Sequence, residues 1–196
     1  MQTREQKIAH AYKVFAEHKA ELKVSGNMQI VDWRKPGEIW CSVRYVFDQE
    51  GNRIYISGDL GEAVVWPTWP ATFGATCGAV CGGISVVNED YFLEKVRATS
   101  NRYEYDREEA ENAVRENCPG IDEDDLETVM SDFDDRWGLT HIERTACNVL
   151  EGFDRDYWEW FTTAGRSIDG RIYLWLVGLK MAWEALNGAA LQHNQE

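Results

Sequence analysis

The 196-residue chain contains no run of about 18 apolar residues, which removes a membrane-spanning helix. Met1 to Glu21 lacks an apolar h-region and mixes Arg, Lys, Glu and His through an amphipathic pattern. A secretory signal is therefore not expected, and a cytoplasmic location is. The five cysteines, Cys41, Cys77, Cys81, Cys118 and Cys147, lack the even count and the spacing of a disulfide framework. A chain of this length can bury a core without such staples, so reduced thiols are expected. Zinc spacing is also incomplete. Cys77 and Cys81 could form half a site, but no second Cys or His pair stands at a matching distance, and His10, His18, His141 and His193 are dispersed. A buried pair of small thiols is the expectation there. Cys77, Cys81 or Cys147 with His141 could make a nucleophile and base, but no specific spacing supports that pairing.

Lysine is missing from Asn101 to Trp160, where 19 Asp and Glu face 6 Arg, and this stretch holds −13 of the whole net charge of −14. The rest of the chain is close to neutral, with 14 basic and 15 acidic residues. Such an excess repels itself and must be offset by the fold, which suggests a use for it. One use is a solvated helical face that keeps a protein with nine Trp in solution. Another is imitation of nucleic acid, because duplex DNA carries about one charge per 1.7 Å of axis and packed helices can present carboxylates at comparable density. The same charge argues against direct binding of DNA or RNA. A hydrophobic fraction of 44% excludes a disordered chain.

Periodicity outlines the elements. Thr3 and Gln6 stand in capping-box spacing, and Ile8, Ala11, Tyr12, Phe15 and Leu22 fall near one face of a first helix expected from Thr3 to Lys23. Cys41, Val43, Tyr45 and Phe47 then alternate with Ser42, Arg44 and Val46, Gln49-Glu50-Gly51-Asn52 turns the chain, and Arg53 to Ser57 returns it as a hairpin. Gly58-Asp59-Leu60-Gly61 makes a second turn before a third strand from Glu62 to Trp66, where Pro67 and Pro70 interrupt pairing. The uncharged stretch Thr72 to Gly83 suits a close-packed turn or a loop lining a cavity. Asn88 is the expected N-cap of a helix from Glu89 to Ala98, and Asp106 with Glu109 caps another. Pro119-Gly120 separates two acidic helices, the second with Leu126, Val129, Met130, Phe133 and Trp137 along its packing side. Short helices are expected from Thr140 to Leu150 and from Phe153 to Phe161. A last core helix carries Ile172, Trp175, Leu176, Leu179, Trp183 and Leu186 and ends at Asn187-Gly188.

The fold class expected is α+β: an N-terminal amphipathic helix, a small antiparallel sheet from about Met28 to Trp66, and a mostly helical acidic C-terminal half. The expected organisation is a single domain, 1–196, with parts 1–100 and 101–196. Glu108, Glu111, Asp122, Asp124, Asp125, Glu127, Asp132, Asp134, Asp135, Asp154 and Asp156 are the candidate partner-binding carboxylates. Trp158 is the candidate anchor, because Trp158 and Trp160 cannot share one helix face and a ring beside acids suits a basic partner. No cofactor is implied. The acidic runs around Asp122 and Asp132 lack the Gly and closing Glu of a calcium loop. A dispersed magnesium site would draw on Asp59 and Glu62 beside their Gly-rich turn, with Asp90 as a third ligand, and would make the protein a small hydrolase acting on nucleotides or nucleic acid.

Val43-Arg44-Tyr45-Val46-Phe47 followed by Arg53-Ile54-Tyr55-Ile56-Ser57-Gly58-Asp59-Leu60-Gly61-Glu62-Ala63-Val64 resembles a segment of small uncharacterised phage and prophage proteins of Gram-positive bacteria. The likeness covers about a tenth of the chain and brings no catalytic residues. It implies a phage accessory role inside a bacterial host, a setting in which acidic proteins of this size include anti-CRISPR inhibitors. Arg and Lys line the nucleic-acid path of Cas effectors, the complement of an acidic face. The function expected is therefore stoichiometric, non-enzymatic inhibition of a basic nucleic-acid-binding protein, a type II Cas effector above all. The alternatives are the metal-dependent hydrolase and a phage structural or assembly protein.

Overall fold

The computed structural model describes residues 2–38, 40–81, 87–99 and 101–193. The chain divides into two compact units, 101–169 and the residues on either side of it, 2–100 with 170–196. The α+β class is as expected: helices accompany a six-stranded antiparallel sheet.

In the larger unit, α1 (Arg4–Val14) starts at the capping box read from Thr3 and Gln6. It ends much earlier than Lys23. Lys19–Ser25 is instead strand β1, and Leu22 is 40% exposed on it rather than packed on a helix face. The remaining strands are β2 (Met28–Arg34), β3 (Val43–Asp48), β4 (Arg53–Ser57), β5 (Ala63–Val65) and β6 (Val96–Thr99), paired in chain order. The β3–β4 hairpin stands where the alternation placed it, with Tyr45 opposite Ile56 and Phe47 opposite Ile54. Val43, Tyr45, Phe47, Ile54 and Ile56 are buried while Arg44 and Tyr55 are exposed, the two-residue period of a sheet packed on one face.

Two further helices interrupt the strands. Phe73–Val80 forms α2, so the Gly- and Cys-rich stretch is helical over those residues; positions 82 and 83 lie outside the described ones. Asn88 caps α3 (Glu89–Lys95) as expected, but Val96 leaves the helix to pair with Val65 as part of β6.

Helix α7 (Gly170–His193) packs against α1, α2 and strands β1 to β3. It runs through Asn187-Gly188 instead of stopping there. Ile172, Trp175, Leu176 and Leu179 are buried, and so are Tyr173 and Val177, so its central turns are apolar on all sides. Gly178 marks the closest approach: a Cβ there would lie 2.8 Å from Tyr45 Oη, whose hydroxyl donates to Trp175 O at 2.7 Å.

The unit 101–169 has its own core of Ala110, Val114, Leu126, Val129, Leu139, Ala146, Leu150 and Phe161. Tyr103–Tyr105 (β7) pairs antiparallel with Arg166–Ile168 (β8), a ribbon that local patterning does not reveal because its strands are far apart in sequence. Three helices lie between them: α4 (Arg107–Asn117), α5 (Glu123–Met130) and α6 (Arg144–Phe153). Asp106 caps α4 by accepting from Glu109 N at 3.0 Å. Helix α5 ends at Met130, so Trp137 is not on its packing side; it is 55% exposed beside a tight turn in which Asp134 and Gly138 exchange backbone hydrogen bonds. The expected helix from Phe153 to Phe161 is instead two single 3-10 turns, Tyr157–Glu159 and Phe161–Thr163.

Candidate protein-docking surface

The eleven candidate carboxylates of the 101–169 unit divide by what they already hold. Asp122 is the N-cap of α5 and accepts from Asp125 N at 2.9 Å. Asp132 reaches across eleven residues to accept from Glu143 N at 2.6 Å, supplying α6 with the cap that its own N-cap residue does not make. Asp134 accepts from Arg136 N at 2.8 Å inside its turn. Asp154 ends α6 and uses both oxygens, one for Asp156 N at 2.9 Å and one for Trp160 Nε1 at 3.0 Å. These four are supports of the local fold.

Others are placed by helix polarity. Glu108 lies in the first turn of α4, and Asp124 and Asp125 lie in the first turn of α5, where backbone N–H groups favour negative charge. Glu111 pairs with Arg115 at 3.1 Å one turn on, and the same guanidinium holds Glu123 at 2.9 Å, joining the end of α4 to the start of α5. That guanidinium keeps the Glu123 carboxyl below the usual carboxylate range. The Glu111–Arg115 spacing was legible as an i,i+4 pair; the bond to Glu123 depends on how the helices pack.

Glu127, Asp135 and Asp156 remain. All three are exposed and none makes a side-chain hydrogen bond or ion pair among the described residues. Exposed rings accompany them: Trp158 is 59% exposed, Trp137 55% and Phe153 40%. Of the neighbouring Trp pair, Trp158 is thus the open one, and Trp160 is tied down by Asp154. Trp137 and Phe153 add aromatic surface that sequence reasoning assigned to packing or left unremarked. A basic surface meeting this unit would find, on the same unit, carboxylates without internal counter-ions and rings that lose water on contact.

Of the three carboxylates proposed for a metal, Asp59 has other work. Asp59 accepts from Cys41 N, from Ser42 N at 2.7 Å and from Ser42 Oγ at 2.6 Å. Burial pushes its carboxyl up, but the bonds from Ser42 and Cys41 outweigh that and hold it below the usual range. Gly58 beside it has φ +134, and a Cβ there would stand 2.3 Å from Ser42 O. The Ser57-Gly58-Asp59 stretch is thus a clasp on the 41–42 segment, which is a structural reason for the motif. Glu62 lines a groove of about 640 Å³ with Tyr55, Ser57 and Thr99, and Asp90 is exposed on α3. Among the described residues no three His, Cys, Asp or Glu side chains gather in a way that could hold a metal ion.

Cys77 and Cys81 are buried and point their thiols at Leu179 O and Leu176 O of α7, at 3.6 and 3.7 Å. The bond to Cys81 and burial both push the Cys77 thiol far up. Among the described residues no helix is long and apolar enough to cross a membrane.

No protein-family model, curated protein or solved structure matches the chain.

Proposed function

We propose that the 101–169 unit is an acidic docking module through which the protein acts as a stoichiometric inhibitor of a basic nucleic-acid-binding protein, in the bacterial host of a phage. The partner we name is a type II CRISPR effector nuclease, whose Arg- and Lys-lined channel the module would occupy in place of nucleic acid. The observation that supports this reading most directly is the combination on one unit of Glu127, Asp135 and Asp156, which have no internal partner, with the open rings of Trp137 and Trp158. Carboxylates of this kind speed encounter with a basic groove, and buried rings slow release. The four carboxylates that cap helices and turns hold the surface in shape and contribute charge as well.

The test is titration of purified effector, loaded with guide RNA, with this protein in a DNA-cleavage assay. Inhibition that saturates at one protein per effector supports the reading. Trp158→Ala should then weaken inhibition by accelerating dissociation, and the triple change Glu127→Gln, Asp135→Asn, Asp156→Asn should weaken it by slowing association. Undiminished cleavage with excess folded protein, together with no basic protein retained from host lysate at low salt, overturns it.

A further inference from the structure

Strand β1 is an outer strand of the six-stranded sheet and pairs with β2 alone, in unbroken register from Lys19 opposite Arg34 to Ser25 opposite Met28. Its other side offers unpaired backbone groups along seven residues, and among the described residues no loop hydrogen-bonds to them. Natural edges are blunted by proline, bulges, short length, charges turned inward or charged side chains along the strand. Only the last applies here, through Lys19, Glu21 and Lys23, and these charges alternate in sign. Lys19, Glu21 and Lys23 all lie on the outer face, while Ala20 and Leu22 lie on the core-facing side with their partners Trp33 and Val31. Val24, on that same side, is 66% exposed and Leu22 is 40% exposed, so a strip of the core face runs uncovered to the sheet's edge.

The strand is also complementary to itself. Laid antiparallel about Leu22, it sets Lys19 against Ser25, Ala20 against Val24, Glu21 against Lys23 and Leu22 against Leu22, reading one copy against the other. Glu21 and Lys23 then face each other's opposite charge, Lys19 faces Ser25, and the apolar side meets only apolar residues. Centring the pair on Glu21 or on Lys23 places like charges directly opposite, which is destabilising. A shift of one residue in the pairing sends the apolar row to the wrong face. Among registers that pair five or more of the seven residues, one survives. We propose that β1 is a homodimer interface in which two copies of this chain join their sheets edge to edge across a two-fold axis at Leu22. The strand itself carries Lys19, Lys23 and Glu21, so it brings no acidic excess of its own to such a pairing.

Charge exchange tests the register. Light scattering of the full chain at about 100 μM, a concentration that populates a dimer of micromolar affinity, should give twice the 22.5 kDa chain mass. Glu21→Lys alone sets Lys against Lys, and Lys23→Glu alone sets Glu against Glu, so each variant should run as a monomer. Mixed together they restore both opposite-charge pairs, and the dimer mass should return. A monomeric wild type, single variants that remain dimeric, or a mixture that stays monomeric each overturns the proposal; circular dichroism of the single variants separates lost pairing from lost fold.

Discussion

Two triple substitutions that remove the same charge should differ sharply in stability. Replacing Asp122, Asp132 and Asp154 with Ala deletes the cap of α5, the bond to Glu143 N at the start of α6, and the two bonds at its end, including Trp160 Nε1. A lost cap costs about 1 kcal/mol, and an indole donor left half-buried without its charged acceptor adds about 1 kcal/mol more. Removing three charges from an acidic surface returns about 0.3 kcal/mol for each like-charge neighbour relieved. The net loss is about 2–3 kcal/mol, or about 4–12 °C in Tm for a chain of this size. Replacing Glu127 with Gln and Asp135 and Asp156 with Asn removes no internal bond, so its stability change should stay within about 0.5 kcal/mol, towards greater stability. Urea unfolding of both variants, compared by midpoint at constant slope, reads the difference. Equal midpoints would refute the reasoning, because they would make the carboxylates interchangeable and the caps worthless. The comparison also decides which variant can test docking: only the second alters the charge of the surface without loosening its frame.

Two other outcomes follow from the larger unit. Asp59→Asn should cost about 1 kcal/mol at neutral pH, since it weakens charge-assisted bonds at an exposed site. The folded carboxyl lies below its unfolded value of about 3.9, so this contribution is present above that pH and is lost as pH falls through the folded value. The gap between wild type and variant in denaturant unfolding should therefore narrow as pH falls below about 3.9, and a gap independent of pH contradicts the clasp. Gly178→Ala should destabilise by about 1–2 kcal/mol although Ala favours helix, because the new Cβ meets a hydroxyl anchored on the same helix. A raised thermal midpoint would show that Tyr45 can move aside.

Some of the molecule was set by neighbours within a few residues. The caps at Thr3, Asn88 and Asp106 and the β3–β4 hairpin rest on hydrogen bonds and alternation over short spans, and such local terms are legible in a linear chain. The apolar stripe of α7 likewise marked Ile172, Trp175, Leu176 and Leu179 as core, whereas its Trp183 and Leu186 are half-buried. Tertiary structure decided the rest. Lys19–Ser25 has a composition that suits a helix, and the ladder with Met28–Arg34 is what makes it a strand. Val96–Thr99 leaves its helix for the same reason, by pairing with β5. Charge content was readable residue by residue, but the role of each carboxylate was not: Asp132 serves a backbone N–H eleven residues away and Asp59 serves Ser42 seventeen residues away. A side chain's charge is a property of the residue, whereas its partners depend on which distant segments the packed core brings beside it.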